Sequence, residues 1–162
     1  MRKLKIIAVL VTIILAVGML ASCGAAQIEK PEILEGVTPV DVTGYCEMEV
    51  DGTTITVTGE TDFIAGTIIH ISIAAQSGEE IDSVTISKSQ YAISQTFQIT
   101  DENFGDDVKS FTAFITVAPK QYGKQTDNVY AQYGKKFERI SSEHIWNKDG
   151  ILVIFASETF DR

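Results

Sequence analysis

The chain has 162 residues, 44% of them hydrophobic, with 13 basic against 22 acidic residues and a formal net charge of −9. That acidity excludes a general nucleic-acid binder, which needs an excess of Lys and Arg over the phosphates it meets. Two cysteines exclude a fold stapled by several disulfides, so packing alone must hold the structure together.

The first residues carry an address. Arg2, Lys3 and Lys5 form a positive start, and residues 6–20 are apolar except for Thr12 and Gly18. At a helical rise of about 1.5 Å per residue this core spans roughly 22 Å, short of the ~30 Å of a bilayer's hydrocarbon region. It suits a secretory h-region better than a permanent span; the alternative is an uncleaved N-terminal anchor.

The run closes on Leu20-Ala21-Ser22-Cys23, which resembles the lipobox of bacterial lipoprotein signal peptides. The resemblance implies that residues 1–22 are removed, that Cys23 receives a diacylglyceryl group, and that the protein sits on a membrane at its extracytoplasmic face without crossing it. Acyl chains bury about 0.8 kcal/mol per CH₂, so a multiply acylated cysteine is a stable anchor. Cleavage would remove three of the 13 basic residues and no acidic one, leaving ten against 22, or −12.

Residues 23–39 read as a lipidated tether, small, polar and broken by proline, reaching about 50 Å when extended. Ile33, Leu34 and Val37 are its apolar exceptions and suit docking onto the domain. Residues 40–162 then form the domain: about 120 residues, enough for one ordinary core and too few for two.

From Val40 the hydrophobic period is two. Cys46, Met48 and Val50 alternate with acids, Asp51-Gly52 makes a hairpin turn, and Ile55 and Val57 continue in phase. Cys46 reads as a small buried hydrophobe. Further strands are predicted at 67–75, 81–87, 92–100 and 108–117, where Pro119 stops the ladder, and at 151–155, a continuous apolar run suited to a central position. A helical turn is expected over 127–133. About seven short strands imply a two-layer antiparallel sandwich, because a single sheet would leave one apolar face wet.

Thr56-Val57-Thr58-Gly59-Glu60-Thr61-Asp62 and Ala65-Gly66-Thr67 resemble a hairpin of immunoglobulin-like modules in bacterial surface proteins. The resemblance implies an all-β, immunoglobulin-like antiparallel β-sandwich and carries no binding residues with it. The chain departs from true immunoglobulin domains in lacking a Cys…Trp…Cys arrangement, Trp146 coming late.

Catalytic patterns are sparse. His70 and His144 lie far apart, and His70, on the strand face opposite Ile69 and Ile71, reads as an exposed or rim histidine. Asp101, Asn103, Asp106 and Asp107 place hard oxygen donors around Gly105, the chemistry calcium takes. The loop is not an EF-hand: its glycine comes early and no glutamate stands at the twelfth position, so a solvated connection is the preferred reading. No cofactor is expected.

One segment is unusual. Gln121-Tyr122-Gly123-Lys124 recurs as Gln132-Tyr133-Gly134-Lys135, and residues 120–139 hold five basic residues against Asp127 and Glu138. Tyr122, Tyr130 and Tyr133 with Lys124, Lys135 and Lys136 are the candidate surface for an anionic envelope polymer or an envelope protein, by stacking and charge. The ordinary alternative is tyrosines packed on the sandwich end with solvated lysines. The sequence thus points to a non-catalytic, lipid-anchored binding or structural module, against an envelope enzyme with dispersed catalytic residues or an accessory subunit of a membrane complex. Cys23→Ala should abolish incorporation of labelled lipid into the protein, and unchanged labelling would overturn the address.

Overall fold

The computed structural model describes residues 36–89, 92–100, 102–147 and 151–162, with side chains described for all of these but 146 and 147. The lipobox with Cys23, the tether up to residue 35 including Ile33 and Leu34, and Asp101 lie outside the described residues; Val37 is half-buried. No helix among the described residues is long and apolar enough to cross a membrane.

Two sheets face each other. One contains β2 (Gly44–Asp51), β3 (Thr54–Thr61) and β6 (Ala92–Gln98) in the order β2-β3-β6. The other runs β5 (Glu80–Ser87), β4 (Ile68–Ala75), β7 (Ser110–Val117), β10 (Ile151–Ala156) and β9 (Ile145–Asn147), with β11 (Phe160–Asp161) added to β7. With β2, β3, β4, β5, β6, β7 and β10 taken as strands A, B, C, C′, E, F and G, the sheets are A-B-E and C′-C-F-G, the order of an immunoglobulin-like sandwich. Two short strands missed by the hydrophobic pattern, β1 (Val40–Asp41) and β8 (Ile140–Ser141), pair in parallel. They are too short to show a period.

Alternation explains the layers. Ile55 and Val57 of β3, Ile69, Ile71 and Ile73 of β4, and Phe111, Ala113 and Ile115 of β7 are all fully buried and point between the sheets. On the far side of the first sheet, Tyr45, Glu47, Glu49, Asp51 and Glu60 are exposed. The acidic residues that alternate through β2 therefore line one outer face of the molecule.

A glycine lets the two sheets come close between β3 and β7. Gly59 lies opposite Ile115, and a Cβ there would stand 2.5 Å from Ile115 Cδ1 and overlap the Tyr45 carbonyl. At the closing strand the pattern breaks: β10 pairs with β7 at residues 114–117 and β11 rejoins it at 110–111. In the gap the Ser157 hydroxyl accepts from Ala113 N at 3.0 Å, so the interrupted ladder leaves that amide bonded.

Cys46 is 7% exposed, and its thiol lies 3.7 Å from the Ala113 carbonyl of the opposite sheet. Burial pushes this thiol up to about 12 from its ordinary 9.0; amides at Ser157 and Ile115 oppose the shift and Glu47 adds to it. Below pH 9 the group is neutral in both folded and unfolded chains. As pH rises from 9 toward 12 only the unfolded chain loses that proton, so this group's contribution to stability declines across that window. Iodoacetamide at pH 8 should therefore leave Cys46 unmodified in the native protein and alkylate it in urea, as read by peptide mass mapping. Gly59→Ala should cost about 1–3 kcal/mol in urea denaturation, the cost of overpacking a filled core.

Candidate functional site

Between β7 and β9 the chain leaves the sandwich and returns, a connection far longer than the usual few residues between paired strands. Pro119 cannot extend the β7 ladder, and the chain crosses the outside of β4 as a strap. Thr126 then caps helix α1 (Asp127–Tyr133): its backbone is extended, its hydroxyl accepts from Val129 N at 3.4 Å, and Asp127 adds favourable charge to the first turn. Gly134, at φ +88°, ends the helix and donates its N–H to the Tyr130 carbonyl at 2.9 Å.

Tyr133 fixes this excursion to the core. It is 1% exposed, and its hydroxyl accepts from Ile64 N at 2.9 Å, in the loop between β3 and β4. Its ring meets Phe63 edge-on at 5.1 Å and Phe137 at 6.0 Å. Phe137 reaches that cluster with φ +61°, a left-handed backbone that costs a bulky residue energy, offset here by complete burial of the ring. Beneath the same loop Lys88, 5% exposed, donates from Nζ to the Phe63 carbonyl at 2.5 Å. Burial lowers its pKa, and Asp62 opposes the shift.

Gln125 and Tyr122 hold the strap. The Gln125 side chain accepts from Ile68 N at 2.7 Å and donates to the Ile68 carbonyl at 3.0 Å and the Ala118 carbonyl at 2.8 Å. Tyr122 lies flat on His70, with ring centroids 3.9 Å apart and planes 4° from parallel. His70 is consequently only 6% exposed, which corrects its reading as an exposed or rim residue: the strap covers the sheet face that the strand pattern left open. Its Nε2 is 2.9 Å from a Glu80 carboxylate oxygen and its Nδ1 is 3.1 Å from the Thr85 hydroxyl, directly across the β4–β5 ladder. Burial, and secondarily the Glu80 charge, raise the Tyr122 pKa.

The candidate surface therefore separates by residue type. Tyr133 is a core residue and does not belong to it, a correction to the sequence reading. Tyr130 is half-buried and donates its hydroxyl to the Pro119 carbonyl at 2.8 Å, and Tyr122 has one face on His70. Lys120, Lys124, Lys135 and Lys136 are exposed. Arg139 is half-buried and bonds the Ala131 carbonyl, while Glu138 turns back to accept from Lys136 N at 2.8 Å. The tyrosines face inward and the lysines face water. Because Tyr122 lies on the outer side of β4, the strap stands on the opposite face of the sandwich from the acids of β2.

The acidic connection after β6 is locally closed. Asn103 Oδ1 accepts from Thr100 N at 2.8 Å and from the Thr100 hydroxyl at 2.6 Å, and its amide donates to the Gln98 carbonyl. Lys109 donates to the Asp106 carbonyl and Arg162 to the Phe104 carbonyl. Asp106, with Val108, Lys109 and Arg162, lines a cavity of about 200 Å³, and Asp107 contributes its carbonyl to the Gln76 amide. Among the described residues no three His, Cys, Asp or Glu side chains group as metal ligands. A second cavity, of about 310 Å³, lies at Tyr45, Glu60 and Asp62; neither cavity adjoins the lysines of the excursion.

Comparison with family models, with curated proteins and with solved structures found no match to this chain. If Tyr133 is the anchor, Tyr133→Phe should cost about 1–3 kcal/mol by leaving Ile64 N unbonded. Tyr133→Ala should cost about 3–5 kcal/mol. Tyr122→Ala should be milder than Tyr133→Ala in the same urea titration, because its ring lies outside the core.

Proposed function

We propose that the protein is a lipid-anchored module at the extracytoplasmic face of a bacterial cell envelope, without catalysis, binding an anionic envelope component through the exposed lysines of the β7–β9 excursion. The observation that carries this reading is the partition of charge. Residues 120–139 have a balance of +3 in a chain at −9, and four of their five basic side chains are exposed on a segment pinned to the core. A solvated loop needs no such anchoring, whereas a binding surface gains from it because less freedom is lost on association. The acids of β2, on the other face, repel an anionic surface and so favour approach through the lysines.

One observation favours the enzyme alternative: Thr85 hydroxyl, His70 and Glu80 form a hydroxyl–imidazole–carboxylate chain with contacts of 3.1 and 2.9 Å. Tyr122 covers that imidazole, so a substrate would have to displace the strap. Labelling of Thr85 by a fluorophosphonate, lost in His70→Gln, would establish that alternative.

For the binding role, the full-length chain in neutral detergent should bind anionic envelope extract less tightly as salt shortens the Debye length from ~8 Å toward ~3 Å at 1 M. Replacing Lys124, Lys135 and Lys136 with Gln should weaken binding about 3- to 100-fold, from up to ~1 kcal/mol per exposed contact, and remove most of the salt dependence. A folded triple variant that binds as the parent does would refute the proposal.

A further inference from the structure

The exposed lysines of the excursion are spread along α1 and past its C-terminal end. Lys120 and Lys124 precede the cap Thr126, and Lys135 and Lys136 follow Tyr133. Seven helical residues at about 1.5 Å each separate Lys124 from Lys135 and Lys136 by roughly 10 Å along the axis, while Lys120 follows Pro119, whose carbonyl Tyr130 bonds, and so lies beside the helix. An ion pair needs about 4 Å or less between nitrogen and oxygen, so one small anion meets one pair of lysines. Meeting both would require lysine arms from the strap and from past the helix to converge against their own repulsion.

Each exposed ion pair changes affinity by about fivefold at most. Two lysines then supply about thirtyfold, far below the thousandfold that separates a 1 M from a 1 mM dissociation constant. Neither described cavity adjoins the lysines to make up the difference by enclosure. The aromatic side chains do little better: Tyr133 is buried, Tyr130 spends its hydroxyl on Pro119, and Tyr122 keeps a face on His70. Charge is what the surface offers, and it is offered at two separated places.

From this arrangement we infer that the ligand is an extended polyanion with one charged group per repeat, such as a phosphodiester chain, lying along α1 so that different repeats meet Lys120 and Lys124 on the strap side and Lys135 and Lys136 past the helix's C-terminal end. The inference rests on the binding role proposed above and names its ligand class. Once one pair of lysines is engaged, the second contact becomes intramolecular, with an effective concentration set by the polymer itself. Affinity then depends on chain length more steeply than on charge density.

The test uses the full-length chain in neutral detergent with inorganic phosphate, tripolyphosphate, long-chain polyphosphate and, as an uncharged control, dextran. Long-chain polyphosphate should bind at least tenfold more tightly per phosphate than tripolyphosphate, with dextran and millimolar inorganic phosphate failing to compete. The pair Lys120→Gln and Lys124→Gln, and separately the pair Lys135→Gln and Lys136→Gln, should each lower long-chain affinity about tenfold and flatten the length dependence. If tripolyphosphate binds as tightly per phosphate, or if removing one pair leaves long-chain affinity unchanged, the extended mode is wrong while the binding role stands. If neither polyphosphate nor envelope extract binds, the binding role falls as well.

Discussion

The hydrogen bond from Ile64 N to the Tyr133 hydroxyl, inside the ring cluster of Phe63, Tyr133 and Phe137, is the contact on which the upper end of the molecule depends. The loop between β3 and β4 leaves the sheet ladder, so its amides need partners from elsewhere in the chain. Asp62 N and Gly66 N find theirs in the Thr43 and Lys88 carbonyls, Ile64 N finds its in the Tyr133 hydroxyl, and Ile68 N, at the start of β4, in Gln125. One segment, distant in sequence, thus completes the backbone bonding of the loop it covers. Without it, an apolar Phe63 and the amides of Ile64 and Ile68 would face water. The excursion is part of the fold, and the lysines it displays inherit the rigidity of the core.

That dependence accounts for the distribution of polar groups across the sandwich. The outer face of β2-β3-β6 needs no cover, because its alternating acids and threonines are solvated directly. The outer face of β4 carries His70 and Ser72, both nearly buried, and Tyr122 of the strap covers His70. Two outer faces with the same strand period are therefore finished differently, one by water and one by Tyr122.

The long strands were legible because a strand buried on one face writes its period into the sequence. Ile69, Ile71 and Ile73 against His70 and Ser72 place β4, and Phe111, Ala113 and Ile115 place β7. The helical turn over 127–133 was legible from local composition and matches α1. The strands β1, β8, β9 and β11 were not, since two or three residues hold no period and their pairing is set by where the chain returns. In the site, the repeated Gln-Tyr-Gly-Lys marked the right segment but not the roles of its members. Tyr122 and Tyr133 have the same neighbours in sequence, yet one stacks outside β4 and the other enters the core. Gln125, Lys88 and Phe137 carry no local signal at all: a buried glutamine is recognisable only once the backbone groups it bonds are brought beside it.

The parallel pairing of β1 with β8 ties the start of the domain to the end of the excursion, through Val40 N to the Arg139 carbonyl at 2.7 Å and Val42 N to the Ser141 carbonyl at 2.8 Å. Any pull on the chain ahead of Val40 is delivered first to this two-residue ladder and only afterwards to the long strands. Such a load therefore passes beside Arg139 and the turn that carries Lys135 and Lys136. In that respect the chain ahead of Val40 and the exposed lysines share one joint, and with the β11–β7 pairing that joint is one of the two shortest ladders among the described residues.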